Sequence, residues 1–550
     1  MAPPASGAPG TGEASGSLGP TLARWAAAVR PGDIPERVLS LATAQIASQI
    51  AAARATLSHP LGGKIVSAFG PPLQSDPKAC AYVLAALTMA LDFDDTLYAG
   101  HVSHSTVSVP LAYATAMGLD GMRLVAAVVV ADECAARVTA SVTLGPFRGQ
   151  TAAHTHLAGS VAARMYLENA SWGAWARAWG IAFTAPPWTL NHPFFAGESK
   201  ALLAATQVRA GLDACDAALA GMVGAADVFE HAGGVMESYA DVPLPGAFTR
   251  GLGSRWHTDT LSIKPYPGCA YIDTAVDCAI ALHDILAAEG VVAGPGTVEE
   301  VVVRASAFTS GMEKRAGAYI EGAGSPLTAL QFSVGYAVAA GLARGGFLAA
   351  DLAGERLADG GIWALAAKVR VEHDLGLTLA ALGGTAPIGE ALREAGARAT
   401  GWLAKMATAE TVTAGGAAAA GGRGGGGAGG NDAAGAGAGG EGSGGAVGAT
   451  GNAEDGEQGS PFGPPSPGFE DATKPIGAAV SVRLSTGEVF EVRRDAARGS
   501  PSAPGEESRE EVAREKLLAT GASAQAVARL GGLVSLDAPS LAEVLADLLA

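Results

Sequence analysis

From Leu22 to about residue 245, apolar side chains recur every three or four positions, the period of a helix that buries one face. "TLARWAAAVRPGDIPERVLSLATAQIASQIAAARA" shows this period, broken at Pro31-Gly32-Asp33. "ACAYVLAALTMALDF" is apolar nearly all round, which marks a helix surrounded by others. "GMRLVAAVVVADECAARV", "AGSVAARMYLENASWGAWARAWGIAF" and "QVRAGLDACDAALAGMVGAADVFE" continue it. Apolar residues make up 49% of the chain but aromatic ones only 6%, so small aliphatic side chains supply the buried surface. That favours close-packed helices over a β-sandwich.

Around residue 256 the period changes. "HTDTLSIKPYPG", "GTVEEVVVRASAF" and "AAVSVRLSTGEVFEVRRD" alternate polar and apolar residues and are read as strands, the last as a hairpin turning at Thr486-Gly487. Helical stretches such as "YIDTAVDCAIALHDILAAEG" and "LQFSVGYAVAAGLARGGF" lie between them, giving an α+β unit, and residues 507–550 are helical again. The glycine-rich stretch at about 413–472 has almost no large apolar side chains to offset the entropy of ordering it, and is expected to be a disordered insertion. No strand leads into its glycines and no helix follows directly, so they do not read as a phosphate cradle.

The formal charge is −17, from 53 acidic and 36 basic residues, with no basic stripe. Nucleic acid and anionic membrane are therefore not expected partners. Cys80, Cys134, Cys215, Cys269 and Cys278 form no CxxC pair. This spread suits a reducing compartment and argues against an iron–sulfur cluster or structural zinc. The first twenty residues lack a basic start and an apolar stretch and read as a disordered tail. The longest purely aliphatic run, "LVAAVVVA", is too short to span a bilayer. A cytoplasmic protein is expected.

Chemistry concentrates in "MALDFDDTLYAGHVSHS", residues 89–105. Asp92, Asp94, Asp95, Thr96, His101 and His104 fall within thirteen positions there. If the preceding helix persists, Asp92 and Thr96 share a face, and His104 follows after a glycine-containing loop. A carboxylate, a hydroxyl and an imidazole at the end of a buried helix suit general acid–base work. The alternative is that Asp92 or Asp94 caps a neighbouring element while the histidines face water. "HVSH" offers two imidazoles but no clear third ligand nearby, so no metal site is expected.

"ALDFDDT" followed by "HST" resembles the signature of the MmgE/PrpD family, which includes 2-methylcitrate dehydratase and cis-aconitate decarboxylase. "SKALLAATQVRAG" resembles the family segment built around a lysine, here Lys200. "LSIKPYPGCAYIDTAVD" resembles its Lys-Pro-Tyr-Pro stretch, on Lys264 to Pro267, with Asp277 also matching. "LQFSVGYAVAAGLARGG" resembles its Phe-Ser-x-x-Tyr helix, on Phe332, Ser333 and Tyr336. "LAAKVRVEHD" and the later hairpin follow in family order. The likeness covers roughly residues 20–376 and 473–550.

The resemblance implies a mainly α chain with an α+β second domain: a large helical domain and a smaller α/β lid. The corresponding organisation is a tail at 1–20, the helical domain at 21–255, and the lid at 256–412 with its hairpin at 473–500. The insertion at 413–472 interrupts the lid, and C-terminal helices at 501–550 return to the helical domain. The resemblance also implies a homodimer, a site between the two domains, and neither metal nor organic cofactor. It puts Asp92, His104, Lys200 and Tyr336 in catalytic roles and Thr96, Gln150, His154, Lys264 and Asp273 against the substrate. On residue type alone, Lys200 reads as a surface lysine and Tyr336 as a core tyrosine with a satisfied hydroxyl. Decarboxylase-like relatives often carry histidines where this chain has Gln150 and Asp273, and His154 lies one helical turn after Gln150. An ionised Asp273 in the pocket would repel a third carboxylate, so the substrate is expected to carry fewer carboxylates than citrate-type acids or to place a hydroxyl or amine near Asp273, whereas an Asp273 that caps the helix from Thr274 would not meet substrate.

The implied activity is a lyase that dehydrates a 2-methylcitrate-like hydroxy-carboxylate. The alternatives are decarboxylation of a cis-aconitate-like acid, isomerisation or epimerisation of a small dicarboxylate, and a non-catalytic paralogue that binds an acid or, through the glycine-rich arm, a partner.

Overall fold

A computed structural model describes residues 16–146, 152–406, 462–501 and 508–549. The residues expected to form the N-terminal tail lie outside these only up to 15. Leu18 already opens a helix, Leu18–Ala28, with Gly19 and Pro20 buried. The chain is mainly α with a smaller α/β region.

The first core is built from helices whose buried apolar side chains are chiefly alanine, valine and leucine. Gly121–Ser141 begins where Asp120 accepts the Arg123 N–H at 2.8 Å, and its side chains from Leu124 to Ser141 are all buried. Small side chains let its neighbours Glu36–Leu57 and Thr155–Leu167 approach closely. Pro77–Ala90, the helix read as apolar all round, starts at the Asp76 cap with Pro77 in its first turn. Its residues from Val83 to Thr88 are buried.

A second core lies under a four-stranded sheet. β3 (Val298–Ala305) pairs in parallel with β4 (Val369–His373) and antiparallel with β5 (Ala478–Leu484), which turns back as β6 (Val489–Arg494). In register, Val303 faces Val371 on one side and Val480 on the other. The hairpin turn uses Gly487 at φ 95°, a conformation that favours glycine. Helices Asp273–Ala288 and Val334–Arg344 pack on this sheet and on each other.

The stretch read as a strand from His257 is mostly otherwise. His257–Thr260 is a 3₁₀ turn, and only Ser262–Ile263 (β2) is extended. β2 pairs antiparallel with β1 (Asp95–Thr96), so the two regions meet at the acidic loop.

The C-terminal helices Arg509–Ala519, Ala524–Gly531 and Ala538–Leu549 bury Val512, Leu517, Leu541 and Leu545 in the first core, and Arg54 donates to the Leu548 carbonyl at 2.7 Å. The glycine-rich insertion was expected to run to 472, and residues 413–461 of it lie outside the described residues. Residues 462–472 are packed: Phe469 is fully buried in the first core, and Ser466 donates to Glu390. Among the described residues, no helix is long and apolar enough to cross a membrane.

Candidate active site

Pro77–Ala90 does not continue through the acidic stretch. Asp92 takes a left-handed backbone at φ 52°, which ends the helix and turns the chain into β1. Asp92 and Thr96 are therefore joined by a loop rather than by a helical face. The Asp92 carbonyl accepts Gly268 N–H at 3.2 Å and Lys264 Nζ at 2.8 Å. A side chain at Gly268 (φ 124°) would place a Cβ 2.7 Å from the Gln331 carbonyl, so only glycine allows this approach. In β1, Thr96 points to one face and Asp95 to the other, and Asp94 stands at the bend just before the strand. Asp95 accepts from Gln49 at 2.7 Å and from Ser103.

At this loop two carboxylates meet two ammonium groups. Lys264 Nζ lies 2.8 Å from Asp92 Oδ1 and 2.6 Å from Asp94 Oδ1. Lys200 Nζ lies 2.9 Å from Asp92 Oδ2 and donates to Gln331 Oε1 at 2.8 Å, while Gln331 donates to the Ala90 carbonyl. All four charged groups are buried. Burial pushes both carboxyls up, but the nearby cations outweigh it. Lys200 and Lys264 hold Asp92 well below the usual carboxylate range, and His101, Lys264 and His104 do the same to Asp94. Burial likewise lowers Lys200, while for Lys264 the two carboxylates overcome burial and raise it.

Two imidazoles complete the cluster, stacked with centroids 6.2 Å apart. His101 Nδ1 is 2.7 Å and His104 Nε2 is 3.1 Å from the same oxygen, Asp94 Oδ2. His104 is buried and its Nδ1 lies 3.0 Å from the Thr88 hydroxyl, so both its nitrogens are engaged. The His101 side chain is 39% exposed, and with Nδ1 on Asp94 its Nε2 points away from the carboxylate. His101 thus joins the buried charges to solvent.

Comparison with known families matches residues 20–245 to the MmgE/PrpD N-terminal domain and residues 266–387 to the MmgE/PrpD C-terminal domain. The chain belongs to the MmgE/PrpD family. No curated protein matches it. Family members are generally lyases of the hydro-lyase type, and membership points to a dehydratase or lyase-type function.

In this MmgE/PrpD chain the structure brings Asp92, His104, Lys200 and Lys264 into one cluster and adds Asp94 and His101, two residues quoted in the acidic stretch without a role. Thr96 lies beside it and accepts from Lys474. Asp273 is buried and near enough to exchange electrostatic effects with Lys264, Lys474 and Asp92. Burial raises its carboxyl well above the usual range, while Lys264 and Lys474 oppose that shift. Helix Asp273–Ala288 starts at Asp273 itself, with Ile272 rather than Asp273 at its N-cap position.

Among the described residues, two expected ones, Tyr336 and His154, are not joined to the cluster. Tyr336 is buried among the second-core residues, stacked on Trp363 at 4.6 Å, with its hydroxyl donating to the Asp351 carbonyl at 2.5 Å. Its apolar helix makes it the satisfied core tyrosine that residue type alone suggested. His154 packs on Tyr239 at 4.7 Å, with both ring nitrogens buried and without hydrogen bonds, and burial lowers it to about 4. It is His156 that lies beside His104, at 5.6 Å between centroids. Gln150 lies outside the described residues.

Lys474 and Lys516 were not singled out from the sequence. Lys516 donates to Ser48 Oγ at 2.9 Å, to the Asp94 carbonyl at 3.2 Å and to the Phe93 carbonyl, while lying over the Phe93 ring. Nothing local marks either lysine, because their partners are hundreds of positions away in the chain. The expectation that His101 and His104 lack a third ligand is also corrected: one ligand atom each from Asp94, His101 and His104 lies within 4.8 Å of the others. An oxygen and two imidazole nitrogens suit a divalent transition metal. Here the Asp94 oxygens already bond Lys264 and His101 and lie 3.1 Å from His104 Nε2, so an ion would have to displace those neighbours.

Proposed function

We propose that the protein is a lyase that removes water from a hydroxy-carboxylate, with 2-methylcitrate or a related alkylcitrate as the reference substrate. The observation that supports this reading is the buried Asp92–Lys200–Lys264–Asp94 cluster, tied to a half-exposed imidazole, in a chain of a family whose members are generally lyases.

A substrate carboxylate takes the place of a protein carboxylate on the ammonium groups of Lys200 and Lys264. Two fixed cations in a dry site then stabilise the charge that spreads onto that carboxylate when the neighbouring C–H loses its proton. Asp94 stays ionised beside its cations, so it orients imidazole rather than taking the proton itself. His101 carries Nδ1–H toward Asp94, which leaves Nε2 as the base. His104, engaged at both nitrogens, positions Asp94. The electron pair of the broken C–H bond forms the alkene as the C–O bond to the hydroxyl breaks, and the departing hydroxide takes the proton back from His101 Nε2, leaving as water and restoring the neutral imidazole.

The same cations and proton carrier would serve decarboxylation, in which the pair left by carbon dioxide is protonated instead. The test is a panel of hydroxy-acids and unsaturated acids. Growth of alkene absorbance supports the dehydratase. Release of carbon dioxide without alkene growth would replace it with the decarboxylase, and turnover of neither class would overturn the lyase reading.

A further inference from the structure

A concavity of about 440 Å³ lies among the helices of the first core, and no residue of the Asp92–Asp94 cluster lines it. It opens between the ends of helices Leu18–Ala28 and Thr155–Leu167 and the start of helix Gly121–Ser141. Small-molecule sites commonly enclose roughly 300–1,000 Å³. Its lining is mixed: Met165 is apolar and fully buried, Tyr166 and the fully buried Trp175 supply aromatic rings, and Arg30 and Arg123 supply two cations.

Both guanidinium groups are fixed by backbone carbonyls. Arg30 Nη1 donates to the Ala27 and Val29 carbonyls at 3.2 Å, and Arg123 Nη2 donates to the Leu167 carbonyl at 2.8 Å. The nearby carboxylates are engaged by backbone instead: Asp33 accepts the Arg30 N–H at 2.7 Å, and Asp120 accepts the Arg123 N–H at 2.8 Å. Among the described residues neither guanidinium forms an ion pair, although the chain carries a formal charge of −17. The two cations also converge. Burial raises the Tyr166 hydroxyl, and Arg30 and Arg123 both oppose that shift, with Asp33 adding to it. A negative charge beside the Tyr166 hydroxyl is thus favoured by both arginines at once. Trp175 adds an orphan donor, since its indole Nε1 is buried without a hydrogen-bond partner. A buried N–H of this kind is costly unless an acceptor completes it.

We propose that this cavity is a second ligand site, which takes a small molecule with an oxyanion on an apolar body. Arg30 and Arg123 hold the oxyanion, and the body lies against Met165, Tyr166 and Trp175. A carboxylate and a phosphate both offer two oxygens to the planar fork of a guanidinium, so either group meets this chemistry. No residue of the acidic loop takes part, so the site stands or falls apart from the lyase reading.

The test uses the full chain and three probes that share a ring: benzoate, phenyl phosphate and the uncharged benzamide. Calorimetry is run on the wild type, on the Arg30→Met/Arg123→Met double variant, and on Ala27→Phe, which adds bulk at the cavity wall. Lys200→Met, which removes a cation from the acidic-loop cluster, is the control, and a melting curve accompanies each protein. At least one anion is expected to bind the wild type about tenfold or more tightly than benzamide, the worth of a charge-assisted pair. That advantage should disappear in the double variant and in Ala27→Phe and survive in Lys200→Met. The tighter anion assigns the oxyanion as phosphate or carboxylate. If neither anion binds the wild type, or benzamide binds as tightly as both, the proposal fails. Loss of binding in Lys200→Met with retention in the cavity variants would move the anion to the acidic loop and overturn it too. If the double variant does not fold, Arg123→Lys and Ala27→Phe carry the comparison. Lysine keeps the charge and should keep most of the binding, whereas full binding in a folded Ala27→Phe overturns the site.

Discussion

Asp94 is the residue on which the site converges, since Lys264, His101 and His104 all reach its two oxygens. Asp94→Asn keeps the shape but turns a carboxylate that bonds Lys264 and His101 and stands beside His104 into a neutral amide. Turnover of the responsive hydroxy-acid is expected to fall by about 10²–10⁴, the range for loss of a positioned acid–base group. A kcat within threefold of wild type would remove Asp94 from the mechanism. Lys264→Met should lower stability as well as turnover: it leaves two buried carboxylates short of a cation and is expected to cost about 3–5 kcal/mol in denaturant unfolding. Chelation separates the remaining chemistry at this spot. Because the Asp94 oxygens already hold Lys264 and the two imidazoles, dialysis against a chelator is expected to leave turnover unchanged. Activity that is lost on chelation and restored by one divalent ion would assign Asp94, His101 and His104 to that ion.

At the scale of elements, two contacts between distant helices carry the argument. Helix Ala307–Gly317 sends Glu313 to the start of helix Val334–Arg344, where it accepts the Val334 N–H at 2.5 Å. Burial raises its carboxyl to about 7 from an ordinary 4.5. A folded pKa above the unfolded one means that the folded state holds the extra proton between these values, so stability falls as pH rises from about 4.5 to 7. Discounted for partial exposure, the loss is about 1–2 kcal/mol. Glu313→Gln still accepts the N–H, and is expected to flatten this slope and raise the Tm at pH 8 while leaving it unchanged at pH 4.5. An equal pH slope in wild type and variant would sink the account. The second contact is Lys516, by which helix Arg509–Ala519 holds the Phe93 and Asp94 carbonyls. Neither contact was legible in the sequence. Periodicity reports which face of a helix is buried, so Pro77–Ala90 and Asp273–Ala288 could be read from it, but it is silent on which helices meet. The alternation at "HTDTLSI" misled for a related reason: His257 and Thr258 are turned inward by the buried Glu133, which lies 3.1 Å from His257 Nδ1 and accepts the Thr258 N–H at 3.1 Å. A 3₁₀ turn therefore replaces a strand.

At the scale of the whole molecule, the chain closes on itself. Residues that follow the glycine-rich stretch return to both cores: Phe469 and the C-terminal helices to the first, and β5 and β6 to the second. Lys474 and Lys516, which reach the acidic loop, both lie beyond that stretch. Composition marks residues 413–472 as poor in large apolar side chains, but it could not mark where packing resumes, because "PFGPPSPGFED" looks like linker except for its two phenylalanines. That difference yields paired deletions. Removing residues 413–461 takes away almost no large apolar side chains, and shortening a loop changes closure entropy by only about 0.6 kcal/mol per halving. The melting temperature and turnover are expected to stay near wild type. Extending the deletion to 472 also removes Phe469, which is fully buried and has the Arg255 guanidinium 4.0 Å over its ring, and breaks the Ser466 bond to Glu390. Loss of a buried phenylalanine alone costs about 3–5 kcal/mol. The longer deletion should therefore melt well below the shorter one and, by displacing Lys474, lose turnover as well. If both deletions melt alike, residues 462–472 do not hold the two cores together in the way their packing indicates.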